Sequence, residues 1–126
     1  MHALRNLHAA LAPDGILVDT QPVTARPPVA SAGGKIGTLD MRNWFDTIHA
    51  VDELVAETIV GGLYELRYES RFVVADTYDN GPECLDTVSS WRGTRVPPGV
   101  WRRLADATSP VTVQQEVRLR LLRRVA

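Results

Sequence analysis

With 126 residues, 44% of them hydrophobic, and a net charge of −1, the chain has room for one modest core, so a single domain over residues 1–126 is expected. The lone Cys84 excludes an internal disulfide and a thiolate zinc cluster, so no metal is expected and a cytoplasmic location is the default. No apolar run approaches the ~20 residues that span a bilayer, and no signal-peptide core opens the chain, so no membrane role is expected.

In chain order, Leu4, Leu7, His8 and Leu11 recur at helical spacing and give a first helix with one apolar stripe, ended by Pro13. Gly15 supplies the freedom for a tight turn into Ile16-Leu17-Val18-Asp19-Thr20, closed by Gln21-Pro22. Three apolar residues without alternation predict a strand buried on both faces, of the kind found in parallel sheets flanked by helices. In open parallel sheets ligands bind beyond the carboxyl ends of the strands, which makes Asp19, Thr20, Gln21 and Pro22 the candidate site residues. The alternative is that Asp19 caps a turn and Pro22 merely stops the strand.

Prolines at 22, 27 and 28 argue against a central strand in the next segment, but Val29–Ala32 and Lys35–Leu39 flank Gly33-Gly34 as a short hairpin. Gly33-Gly34-Lys35 is not a phosphate loop, because the first glycine of that motif is missing and Ile36 follows the lysine. From Asn43 or Asp46 to Val60 the stripe Ile48, Val51, Val55, Ile59 predicts a helix, with Asp46, Asp52, Glu53 and Glu57 mostly away from it and Gly61-Gly62 as its stop. His49, near its start, has no identifiable catalytic partner.

Tyr64–Tyr78 and Val111–Val125 alternate with period two and predict two long, half-buried strands paired antiparallel. Their inward faces would join Tyr68 and Phe72 to Val117 and Leu119, and their outward faces would bring Glu65 and Glu69 towards Arg118 and Arg120. Between them, Pro82 and Pro97-Pro98 start two short helices, carrying Leu85, Val88 and Trp91 on one and Val100, Trp101, Leu104 and Ala105 on the other. Both tryptophans read as packing residues.

Charge is unevenly divided: residues 1–91 hold six Lys and Arg against thirteen Asp and Glu, whereas residues 92–126 hold eight against two. Arg118, Arg120, Arg123 and Arg124 would serve a nucleic-acid surface only if unpaired on one face, and alternation sends Arg123 to the other. Pairing with the acidic first half is the simpler reading, so no nucleic-acid partner is expected.

The helix, Leu11-Ala12-Pro13-Asp14-Gly15, the apolar strand, Asp19 and Gln21-Pro22 together resemble the later part of class I S-adenosylmethionine-dependent methyltransferases. In that family a helix and a Leu-x-Pro-Gly-Gly-type turn feed the last parallel strand, whose following loop faces the substrate; here Asp14 stands where the family has glycine. The family's next helix and its final pair of strands, the last antiparallel, are similar in order to the remainder of this chain. Val51-Asp52-Glu53-Leu54-Val55, Gly61-Gly62-Leu63-Tyr64 and Asp76–Glu83 also look like the C-terminal portion of bacterial small-molecule methyltransferase-like proteins.

The resemblance implies an α/β fold: a partial Rossmann-like sheet, one parallel-type strand plus a long antiparallel pair, with flanking helices. It implies S-adenosylmethionine as cofactor, yet the family's Gly-rich cofactor loop lies upstream of the matched part and no substitute occurs here. The expectation is therefore a truncated or split methyltransferase-like protein, acting on a small molecule, not binding S-adenosylmethionine alone, and completed by an upstream half-domain. No catalytic residue carries over, and whether the chain is an enzyme stays open. The alternative is a non-catalytic ligand-binding or dimerisation module of α+β type, working as a homodimer.

Overall fold

The computed structural model describes residues 2–125, with side chains from residue 6 onward, so Leu4 of the predicted stripe lies outside the described side chains. The elements are α1 (His2–Ala10), β1 (Ile16–Pro22), β2 (Pro28–Ser31), β3 (Gly34–Thr38), α2 (Arg42–Val60), β4 (Tyr64–Tyr78), α3 (Gly81–Val88), α4 (Pro98–Asp106) and β5 (Val111–Arg124). The five strands form one sheet, in which β5 pairs with β1, β2 and β4 and β2 pairs with β3. The chain divides into two compact units, residues 1–22, 47–72 and 117–126 in one and residues 23–46 and 73–116 in the other.

In the second unit the Gly33-Gly34 hairpin forms as expected, β2 against β3 antiparallel with a bulge between Val29 and Ala30. The prolines do not keep β2 at an edge, however: Val29, Ala30 and Ser31 also pair antiparallel with Val113, Thr112 and Val111 of β5. Pro28 is tolerated because it is the first residue of the strand, where its missing N–H interrupts nothing. Val29, Val111 and Val113 are fully buried and meet Leu39, Cys84, Leu85, Val88, Val100 and Leu104 in the core. α3 starts at Asn80, whose side chain accepts the Glu83 amide at 2.9 Å. It approaches the end of α4 so closely that a Cβ on Gly81 would stand 1.7 Å from the Leu104 carbonyl oxygen. Trp91 packs beside this core as expected, but Trp101 and Ala105 of the predicted α4 face are exposed, leaving Val100 and Leu104 to anchor the helix.

In the first unit α2 ends where its glycines predict: Gly62, at φ +78°, lets Leu63 return its amide to the Thr58 carbonyl at 2.9 Å. The turn before β1 differs, because Asp14 and not Gly15 adopts the positive φ, +61°. Aspartate is one of the few side chains that tolerate this region. Gly15 is instead required by crowding, since a Cβ there would lie 2.8 Å from the Ala12 carbonyl oxygen.

β1 is not the doubly buried parallel strand that its composition suggested. Its partner is antiparallel, with Leu17 opposite Leu122, Asp19 opposite Arg120 and Gln21 opposite Arg118. Burial alternates along it, and Ile16 and Val18 are 46% and 58% exposed. The other side of β1, with Leu17, packs with Val51 and Val55 of α2 and with Leu122 and Tyr64 in the core of this unit. A run of three apolar residues therefore reports one covered face and one open one, which composition alone does not distinguish.

β4 and β5 do pair antiparallel. Leu63 accepts from the Val125 amide, Glu65 meets Arg123 and Thr77 meets Thr112, so partners fall along one strand as they rise along the other. The covered face of β5 is the reverse of the expectation, whereas β4 is mostly exposed on both faces between its ends; Glu69 approaches Arg118 as expected, at 4.0 Å. Tyr68 and Phe72 are 52% and 43% exposed, whereas Arg118 and Arg120 are buried at 7% and 8%. Along β5 the fully covered positions are Val111 and Val113 in one unit but Arg118, Arg120 and Leu122 in the other, so the alternation changes phase between them. A single strand carrying two phases defeats any reading that assumes one.

Candidate site: a buried charge network at the carboxyl end of β1

Alternation sends Asp19 and Gln21 of β1 to the α2 side of the first unit, and their register partners Arg120 and Arg118 follow. α2 contributes Asp52, which falls on its covered face because it stands four residues after Ile48 and three before Val55. Arg118 grips Asp52 with a two-pronged fork, its Nη1 and Nη2 donating at 3.1 and 2.7 Å. Arg120 donates Nε and Nη2 to one oxygen of Asp19 at 2.9 and 2.7 Å and shares Asp52 at 3.1 Å. Gln21 donates its side-chain amide to the other Asp19 oxygen at 3.1 Å.

These side chains are largely removed from water: Arg118 and Arg120 are 8% and 10% exposed, Asp19 14% and Asp52 31%. Burial pushes the Asp52 carboxyl up, but the hydrogen bonds and positive charges of Arg118 and Arg120 outweigh it and leave the pKa below the ordinary value. The bond to Asp52 in turn raises the pKa of Arg118. With its pKa held down in this way Asp52 is a poor proton acceptor near neutral pH, so it is suited to orienting a polar group, not to general acid–base work. One donor is left over: Arg118 Nε is buried without a hydrogen-bond partner among the described residues, its nearest carboxylate, that of Glu69, standing 4.0 Å away.

The four candidates from the sequence are thus divided. Asp19 and Gln21 join the network, while Thr20 projects to the open side and Pro22, opposite Val117, closes the strand. Asp52, Arg118 and Arg120 were not among them. Asp52, expected mostly away from the apolar stripe of α2, stands at its covered border; its place four residues after Ile48, and two arginines at alternate positions of an apolar strand, were the available signals. Arg123 pairs with Glu65 and Asp14, and Arg124 donates to the Leu11 carbonyl, so all four arginines of this end have partners. Beside the network, the edge of β1 borders an apolar groove of about 200 Å³ floored by Leu17, Val51, Val55 and Leu122.

No family model matches the chain, and no curated protein does. Among the described residues no group of three or more His, Cys, Asp or Glu side chains is placed to hold a metal ion, and no helix is long and apolar enough to cross a membrane.

Proposed function

We propose that this chain is the substrate-side part of an S-adenosylmethionine-dependent methyltransferase-like domain, acting on a small molecule only together with a cofactor-binding part. The supporting observation is the arrangement around β1. The strand is followed, after the β2–β3 hairpin, by α2 and then by β4 and β5 with two helices between them; β5 runs antiparallel to β1, whose other edge has no partner among the described residues. That is the order the family resemblance implies, with a free edge where a further strand would add. The charge network includes Asp19 and Gln21, at the end of β1 that the family resemblance turns towards the substrate.

The residues present do not fit S-adenosylmethionine itself. Asp19 and Asp52, the carboxylates at this end of β1, are both occupied by arginines and are not free to receive ribose hydroxyls. On this reading the cofactor is held by the other part. Calorimetric titration of the chain alone, and of the chain co-purified with the polypeptide encoded directly upstream, tests it. S-adenosylmethionine should bind to the pair and not to the chain alone. A Kd near ~1 μM for the chain alone, about −8 kcal/mol, would overturn this division of roles, as would a pair that fails to bind.

A second reading is favoured by the exposure of Ile16 and Val18: a non-catalytic module in which two copies join through their β1 edges. Antiparallel pairing about Val18 would place Ile16 of each copy opposite Thr20 of the other, as a two-fold interface requires.

A further inference from the structure

Arg26, Asp40 and Arg95, all in the second unit, lie in a row. Leu39 donates its amide to the Pro27 carbonyl at 2.9 Å and Met41 donates to that of Ala25 at 2.8 Å, which makes Arg26 the residue opposite Asp40. On its other side Asp40 exchanges both backbone hydrogen bonds with Arg95, at 2.8 and 2.7 Å. Residues opposite one another across antiparallel backbone project to the same side, so two guanidiniums flank one carboxylate.

A third guanidinium comes from the first residue of α2. Arg42 Nε and Nη2 hold the two Asp40 oxygens at 3.0 and 2.7 Å, and the Arg42 amide also donates to Oδ1 at 3.1 Å. Together with Thr38 and the Pro97-Pro98 entry to α4, these side chains line a cleft of about 310 Å³. Asp40 is the carboxylate of Arg42, and neither Arg26 nor Arg95 makes an ion pair among the described residues. Three positive charges thus meet one negative charge, an excess of two. Pro97 gives α4 no side-chain cap, and Pro98 has no N–H, so the positive end of that helix reaches the same wall uncompensated. Space above Gly99 is open.

We propose that this cleft binds the phosphomonoester group of a small molecule. The excess of two positive charges matches a group carrying about −1.5 to −2 at neutral pH, and arginine forks suit its three acceptor oxygens. The volume stands at the lower end of small-ligand pockets, enough for the phosphate and a short organic stem against the two prolines. This site is independent of the methyl-transfer reading, since every residue in it lies outside the charge network and the unit that holds it.

Inorganic phosphate and acetate are the probes, titrated at constant ionic strength while the backbone amide resonances are followed. Phosphate should give saturable shifts at Thr38, Asp40 and Arg95, with millimolar affinity and in preference to acetate. Arg26→Gln and Arg95→Gln should each weaken it about tenfold, the loss of one charge-assisted hydrogen bond. Arg67→Gln, in the other unit, should leave it unchanged. Asp40→Asn keeps the acceptor for Arg42 but removes the competing charge, and should tighten phosphate about threefold. Because that variant gains binding, a folding defect cannot imitate it. Shifts that never saturate, acetate binding as well as phosphate, an Arg67→Gln loss equal to that of Arg95→Gln, or an Asp40→Asn variant that binds no tighter would overturn the proposal.

Discussion

Replacing Arg120 by alanine should be among the most damaging single changes in the first unit, and its size follows from what is left behind. Asp19 would keep the Gln21 amide at 3.1 Å and an arginine no closer than 4.0 Å, in a place where only 14% of its side chain meets water. Removing one member of a buried ion pair costs about 3–5 kcal/mol, and the residual exposure of Asp19 puts this case near the lower end, about 3 kcal/mol. Phe72→Ala is the comparison. At 43% exposure it leaves no enclosed cavity and forfeits little more than half of a full phenyl transfer, about 1 kcal/mol. Urea melts followed by far-ultraviolet circular dichroism, read at unchanged m-value, measure both. A double variant, Asp19→Leu with Arg120→Met, removes charge and countercharge together and should regain most of the loss. If Phe72→Ala cost as much as Arg120→Ala, or the double variant were worse than the single, the network would not contribute stability in the way argued here.

The remaining predictions concern separate parts of the molecule. Because the folded-state pKa of Asp52 lies below its unfolded value, its contribution is complete above about pH 4 and is lost as pH falls through the folded pKa; Asp52→Asn should flatten this acid limb in melts run across that range. Cys84 is fully buried and burial pushes its thiol up to about 11, so a disulfide reagent at pH near 8 should label it only at the rate of unfolding. Gly81→Ala should cost about 3 kcal/mol or more by forcing α3 from the Leu104 carbonyl, and thermal melts would show it. The open edge of β1 predicts self-association at high concentration, which light scattering detects and Val18→Lys abolishes; a wild-type chain that stays monomeric would contradict it.

What the sequence disclosed was governed locally. The hairpin about Gly33-Gly34, the end of α2 at Gly62 and the extents of β4 and β5 depend on turn chemistry and period, both of which act over a few residues. Which face of β5 is covered in the first unit depends instead on where α2 lands, and no local pattern carries that. Phe72 and Tyr68 look more apolar than Arg118 and Arg120 and were expected inside for that reason. The arginines are inside because Asp19 and Asp52, distant in sequence, neutralise them there. The site was legible to the same degree: Asp19 and Gln21 could be placed at a strand end, but their partners on α2 and β5 required the fold.

The network also bears on the order of biosynthesis. Asp19 and Arg120 stand 101 positions apart, so at ribosomal rates of about 5–20 residues per second the aspartate waits roughly 5–20 s for its guanidinium to be made. Throughout that interval β1 lacks its β5 partner segment and is held to the rest of its unit by no ion pair. The segments of the other unit, residues 23–46 and 73–116, include neither Arg118 nor Arg120, so its core does not depend on the network. A released chain ending at residue 116 would therefore hold every segment of one unit and leave β1 as an unpaired apolar strand, the form a chaperone that captures extended apolar segments would be expected to hold.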